Sequence, residues 1–219
     1  MGVGRALRQS RLGRGEVFIT TKIWNSDQGY HKTIRAFEKS RMNLDTDYVD
    51  LYLIHWPVMG EYHGTWRAME ELLEKGQVRS IGVSNFMIHH LEDLMREASV
   101  APMLNQFELH PCLYQTELVS FCRDNGIAVE GWAPLMRGRL NDDPLIMELA
   151  EKYGRTTSQV LIRWALEHGF VTIPKSVTPA RIIENSLVFD FSISKEDVVR
   201  IDSLDRRERT GPDPDNFNF

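Results

Sequence analysis

Val17-Phe18-Ile19-Thr20-Thr21-Lys22-Ile23 and Leu51-Tyr52-Leu53-Ile54-His55-Trp56-Pro57 decide the fold. Each opens as a run of apolar, β-branched or aromatic residues, the composition of a buried strand. Each then gives way to a polar or Pro/Gly stretch and a helical pattern. Parallel strands need crossover connections, so repeated strand–loop–helix units point to a parallel sheet. In such folds the chemistry gathers at the C-terminal ends of the strands. Lys22 and His55 stand at two such ends, and Lys175 follows the run Val171-Thr172-Ile173-Pro174 in the same way.

Working outward, six runs read as strands: 17–23, 51–55, 78–83, 103–107, 128–133 and 170–173. Helical stripes lie between them. Trp66, Met69, Leu72 and Leu73 share a face, as do Ile88, Leu91, Leu94 and Met95. Leu118, Phe121 and Cys122 form a third stripe, and Val160, Leu161, Trp164 and Ala165 a fourth. Gly76, Gly126 and Gly169 follow three of these stripes, where a left-handed helix cap favours glycine. Thr178-Pro179 reads as an N-cap with proline at the first helical position. Ser194 and Asp197 read as a capping box opening a last helix through Val198, Ile201 and Leu204.

A doubly wound sheet wants a Gly-rich phosphate turn directly after its first strand. Gly2-x-Gly4 is the near match, and no strand precedes it. A (β/α)₈ TIM barrel instead spreads its active residues over many strand ends, which is the pattern here. Such a barrel has eight strands in about 250 residues. The sequence therefore reads as a (β/α)₈ barrel lacking its first two βα units, roughly 30 residues each, and any N-terminal hairpin. Residues 1–219 are expected to form one partial barrel domain, with a C-terminal tail, 205–219, over the strand C-termini.

The bulk properties narrow the function. Charged residues make up 26% and hydrophobic residues 42% of the 219, an ordinary globular balance. The net charge is −5 without a long basic run, which argues against nucleic acid as a partner. No apolar stretch reaches spanning length and no secretory h-region opens the chain, so neither a membrane nor export is expected. Two cysteines, Cys112 and Cys122, suit free thiols in a reducing cytoplasm. His89 and His90 are adjacent on a helical stripe and are expected to point apart, so no metal site is expected. Asp50 opens a strand and is expected to bond locally. No feature of the sequence sets the oligomeric state.

Five motifs then stand in order: Phe18-Ile19-Thr20-Thr21-Lys22-Ile23-Trp24, Asp50-Leu51-Tyr52-Leu53-Ile54-His55-Trp56-Pro57, Ile81-Gly82-Val83-Ser84-Asn85-Phe86, Asn105-Gln106 and Ile173-Pro174-Lys175-Ser176. Together they strongly resemble the aldo-keto reductase family. The nearest group is the short-loop one that includes 2,5-diketo-gluconate and methylglyoxal reductases and some prostaglandin F synthases. The resemblance runs through essentially the whole chain.

The resemblance implies NADPH-dependent reduction of small aldehydes or ketones. In the family a tyrosine is the general acid, a lysine lowers its pKa, an aspartate supports the lysine and a histidine orients the carbonyl. Lys22 matches the lysine and His55 the histidine. The tyrosine and aspartate motifs have no match in this sequence, so an N-terminally truncated member is expected, with weak activity. Ser84, Asn85 and Gln106 match positions that grip the nicotinamide carboxamide, and Trp132 an aromatic platform for its ring. Ala133 and Leu135 match the pyrophosphate path. Lys175, Ser176 and Arg181 match the clamp on the 2′-phosphate. Glu184 and Asn185 match adenine contacts, with Val177 beside them. Trp24 and Trp56 are expected to line the substrate pocket, which a short loop, Val58 to Gly64, would leave open.

Two other readings stay open. One is a non-catalytic binding or interaction protein on a remnant barrel, and the other is a fragment or misjudged start site without independent function. A barrel aldolase with Lys22 as a Schiff base is weaker, because it leaves Ser84, Asn85, Gln106, Lys175 and Arg181 unexplained.

Overall fold

The computed structural model describes residues 2–217. Six strands follow one another through the sheet in chain order: β1 (Thr20–Ile23), β2 (Val49–Ile54), β3 (Val78–Ser84), β4 (Leu104–Glu108), β5 (Ala128–Trp132) and β6 (Val171–Thr172). All six predicted runs contain a strand, with shifted ends. β1 starts at Thr20 rather than Val17, because Arg14–Glu16 form a 3-10 turn and the Ile19 N–H donates to Asp50 Oδ2 at 2.9 Å. Asp50 also binds Arg14 at 2.7 Å and Arg79 at 3.1 Å, the local bonding that its position suggests. Burial alone would push its carboxyl up, but the Ile19 and Arg14 hydrogen bonds outweigh this and hold it below the usual carboxylate range.

The chain divides into two compact units, one running to Asn105 together with Phe217, the other Gln106–Asn216. The first holds α1 (Gly2–Ser10), α2 (Tyr30–Leu44), α3 (Tyr62–Glu74) and α4 (Ile88–Glu97). Its strands β1, β2 and β3 pair in parallel, with Lys22 opposite Leu53 and Leu53 opposite Gly82. Side chains alternate along a strand and partners in register share a face. Leu51 and Leu53 cluster with Leu104 on one face, while Tyr52 meets Phe37 of α2 on the other, ring centroids 5.4 Å apart. Gly82 is required where these layers meet: a β-carbon there would lie 2.5 Å from the Leu104 carbonyl oxygen and 2.8 Å from Leu53 Cδ2. On α3, Trp66, Met69 and Leu72 are buried as their spacing predicts. Tyr62 already opens α3, so the loop after β2 ends at Glu61 rather than Gly64.

The second unit holds α5 (Thr116–Asp124), α6 (Pro144–Tyr153), α7 (Thr157–Glu167), α8 (Pro179–Ser186) and α9 (Lys195–Asp202). β5 and β6 pair in parallel, Glu130 opposite Val171. Gly126 and Gly169 adopt positive φ after α5 and α7, as their C′ positions demand, and Gly76 does the same after α3 in the first unit. The sequence reading passed over α6, although Asp143 caps it through Leu145 N and Ile146 N, with Pro144 in its first turn. Thr178 does precede α8, but its side chain makes no capping bond; its own N–H donates to Ser176 Oγ at 3.1 Å. The capping box of α9 is half made. Ser194 Oγ accepts from Asp197 N at 3.3 Å. The Asp197 carboxylate turns instead to Lys152, Tyr153 and Arg200, and the Ser194 N–H goes to Tyr153 Oη.

Candidate functional site

The strand register of the first unit builds one cluster. Lys22 lies opposite Leu53, and Leu53 opposite Gly82. Two residues further along the last two strands come His55 and Ser84, which alternation places on the same face. Trp24 continues β1 in the same way. The Trp24 and His55 rings meet edge to face at 5.0 Å, His55 and Trp56 lie stacked at 6.3 Å, and Trp56 packs on Phe217 at 4.6 Å. Trp24 is half exposed, whereas Trp56 is buried. Gln28 holds the Trp56 carbonyl at 2.8 Å. Asn85 takes a left-handed φ of 62°, which asparagine tolerates better than most residues. There its Nδ2 donates to the His55 carbonyl at 2.9 Å and to Ser84 Oγ at 3.1 Å. Both Ser84 and Asn85 are buried.

Burial, with a smaller contribution from the Lys22 charge, lowers the His55 pKa from 6.5 to about 4. The imidazole is therefore neutral near pH 7. It can donate one hydrogen bond toward oxygen without carrying charge. His89 and His90 stand apart from this cluster in sequence. Contrary to expectation their rings approach to 3.9 Å, with His90 buried and its Nδ1 accepting from Met87 N at 3.1 Å.

In the second unit Gln106, Glu108, Glu130 and Trp132 share a strand face. Gln106 Nε2 donates to Glu130 Oε1, and both residues are buried. Past Trp132 the chain turns sharply: Ala133, Met136 and Arg137 all have positive φ, at 55°, 46° and 56°. Non-glycine residues rarely take this conformation, and such clusters mark functional turns.

That turn forms one wall of a cavity of about 510 Å³. Six predicted cofactor residues line it: Leu135, Lys175, Ser176, Arg181, Glu184 and Asn185. Val177 does not; it is 79% exposed. Glu184 Oε1 accepts from Thr156 Oγ1 at 2.8 Å, and Gln159 Nε2 donates to the Glu184 carbonyl at 3.1 Å. Sequence reasoning missed Arg137, a third cation on this cavity; its signal was the Met136-Arg137-Gly138 turn after a strand. Among the described residues none of Arg137, Lys175 and Arg181 pairs with a carboxylate. The lining thus carries three cations against one carboxylate, a charge balance that suits an anion with several oxygens.

No helix among the described residues is long and apolar enough to cross a membrane. The Aldo/keto reductase family model matches residues 1–206. The chain is 52% identical to a glyoxal reductase of Bacillus subtilis, covering 100% of this chain and 79% of that protein. It superposes with a TM-score of 0.97, at 44% identity, on MGS-M4, an aldo-keto reductase from a deep-sea metagenome library, covering 99% of this chain and 81% of that one. It is also similar to Gox0644, a mutant of which was solved in complex with NADPH: TM-score 0.95, 46% identity, 100% of this chain and 80% of that one covered. The family model covers most of the chain and the relatives match nearly all of it, and the chain belongs to the aldo/keto reductase family.

Proposed function

We propose that this chain is an NADPH-dependent reductase of small aldehydes and ketones, with dicarbonyls of the glyoxal and methylglyoxal kind as its first candidate substrates. The observation that carries the reading is the cavity where Arg137, Lys175 and Arg181 outnumber Glu184. A phosphate dianion matches such a set by charge and hydrogen bonding, and the 2′-phosphate is what separates NADPH from NADH. Bound NADPH would supply the hydride for carbonyl reduction. Ala133 and Leu135 are assigned to the pyrophosphate path, and Glu184 and Asn185 to the adenine, with Val177 at its margin. Trp132 is assigned to the nicotinamide ring. Gln106 offers the neutral polar group that a carboxamide needs, as do Ser84 and Asn85 in their own cluster.

Reduction builds negative charge on the carbonyl oxygen, which a positioned neutral donor stabilises. Neutral His55 supplies one such hydrogen bond. Lys22 supplies a fixed positive charge that favours ionisation of a phenol held near it. Trp24 and Trp56 give the substrate aromatic walls. On this reading no residue of 1–219 is assigned the part of the family's general-acid tyrosine or of its aspartate. Tyr52 does not replace the tyrosine: it meets Phe37 on the opposite strand face, and burial raises its pKa. The 219-residue chain is therefore expected to bind NADPH yet to turn over about 10²–10⁴-fold more slowly than a relative with the full set. Both cysteines are buried, and the reading assigns the protein to the cytoplasm.

Methylglyoxal-dependent NADPH oxidation, measured side by side for this chain and the Bacillus subtilis glyoxal reductase, tests the proposal. Binding with weak turnover supports it. Equal turnover would mean that another residue donates the proton, and failure to bind NADPH would overturn the reading.

A further inference from the structure

Glu108, at the end of β4, is a fully buried carboxylate whose hydrogen bonds are filled by a distant stretch of chain. Its Oε1 accepts from Thr210 N at 2.7 Å and from Thr210 Oγ1, and the Gly211 N–H reaches both carboxylate oxygens at 3.2 Å. His110 Nε2 lies 3.3 Å from Oε1 on the other side. Burial alone would raise the Glu108 pKa, but the bonds from His110, Thr210 and Gly211 outweigh it and hold the group at about 2, so it is an anion at neutral pH. Further contacts fix the same stretch. The Cys112 carbonyl accepts from Arg206 N at 3.3 Å and from Glu208 N at 2.9 Å. Gln115 bridges, donating to the Glu108 carbonyl at 2.7 Å and accepting from Arg209 at 3.2 Å. Residues 206–211 thus form a strap held at both ends.

The strap ends on Trp132. A β-carbon at Gly211 would lie 2.4 Å from Cη2 and 3.1 Å from Cζ3 of that indole. Backbone therefore rests directly on the ring, and nothing larger than glycine fits. A buried anion is a costly anchor, because an apolar contact would hold a tail without the desolvation penalty. What the carboxylate adds is geometry: two N–H groups and a hydroxyl must converge on it, which fixes position along the strap to within a hydrogen-bond length.

We propose that Glu108 is a positioning residue, which through the Thr210-Gly211 strap sets the place of the Trp132 ring and so the fit of the nicotinamide half of the cofactor. The second part rests on the proposed reading of Trp132 as the nicotinamide platform. The strap itself does not.

Two measurements separate these parts. In limited trypsin digestion, cleavage at Arg206, Arg207 and Arg209 is expected to be at least tenfold faster in Glu108→Gln and in Thr210→Val than in the unaltered chain. Thr210→Val leaves β4 untouched, so it remains informative if Glu108→Gln folds poorly. Unchanged cleavage in Thr210→Val would overturn the anchoring. Fluorescence titration then compares NADPH with adenosine 2′,5′-bisphosphate, which carries the 2′-phosphate but no nicotinamide. Glu108→Gln and Gly211→Ala are expected to weaken NADPH at least tenfold while moving the bisphosphate less than twofold. Equal loss for both probes would reduce Glu108 to a general structural role, and no loss for either would overturn its positioning role. If the unaltered chain binds neither probe, the cofactor reading falls together with the role toward nicotinamide, and digestion alone decides the anchoring.

Discussion

The Lys22–His55 cluster of the first unit and the Lys175–Arg181 cavity of the second are built on opposite plans. The first is set by strand register. Lys22, Leu53 and Gly82 are opposed on successive strands, so the site residues at or just past them are placed by the sheet, and burial has already made His55 neutral. The second is set by a strained turn and the approach to α8. Its cations are exposed and unpaired, and its cavity is open to solvent. The difference separates two tasks. A group that must meet a reacting oxygen needs fixed geometry and a controlled protonation state. A group that must capture a highly charged ligand needs accessible charge, which the ligand itself then orders.

The strongest break of this contrast is expected on the cavity side. Arg181→Ala removes a charge-assisted phosphate contact worth about 1.5–3 kcal/mol, so NADPH affinity should fall about 10- to 100-fold. The melting temperature should barely move, because an exposed, unpaired side chain contributes little to the fold. Titration and thermal melts of the same sample check both halves.

Gly82→Ala should show the reverse. Its β-carbon would strike a backbone carbonyl 2.5 Å away, which cannot yield as a flexible side chain does. Overpacking of this kind costs about 1–3 kcal/mol. Denaturant unfolding should register that loss, with the cations of the cavity left in place.

How much of each region was legible follows from the same contrast. Period-two alternation and β-branched runs are local signals, and they placed six strands and the ends that carry Lys22, His55 and Lys175. They did not show that Ile19 would bond to Asp50 instead of extending β1, because that depends on a carboxylate thirty residues away in sequence. Arg137 went unseen because its position depends on a turn in which Ala133, Met136 and Arg137 take positive φ, and no apolar pattern encodes that. Glu108 lies one position past the predicted strand 103–107 and drew no reading, because its partners, Thr210 and Gly211, lie about a hundred positions downstream. Val177, which the resemblance sets beside the adenine contacts, faces solvent and does not line the cavity.

Acid separates the regions more gently. The pKa of His55 falls from 6.5 to about 4 on folding. Between those values the unfolded chain takes up a proton that the folded one refuses, so stability is lost as pH falls from about 6.5 to 4 and is unaffected above. Glu108 falls from 4.5 to about 2, so its contribution is complete above 4.5 and fades only below. At pH 5 the His55 share alone should be eroding. His55→Asn should flatten the stability profile between about pH 6.5 and 4 without changing its slope below that, as followed by urea unfolding across that range.

The central claim is that the cavity of Arg137, Lys175 and Arg181 receives the 2′-phosphate of NADPH. Fluorescence titration of the 219-residue chain with NADPH and NADH, at one ionic strength, tests it most directly. The account predicts NADPH binding at least tenfold tighter than NADH, with the preference lost in Arg181→Ala. Equal affinity for the two cofactors in the unaltered chain would contradict it.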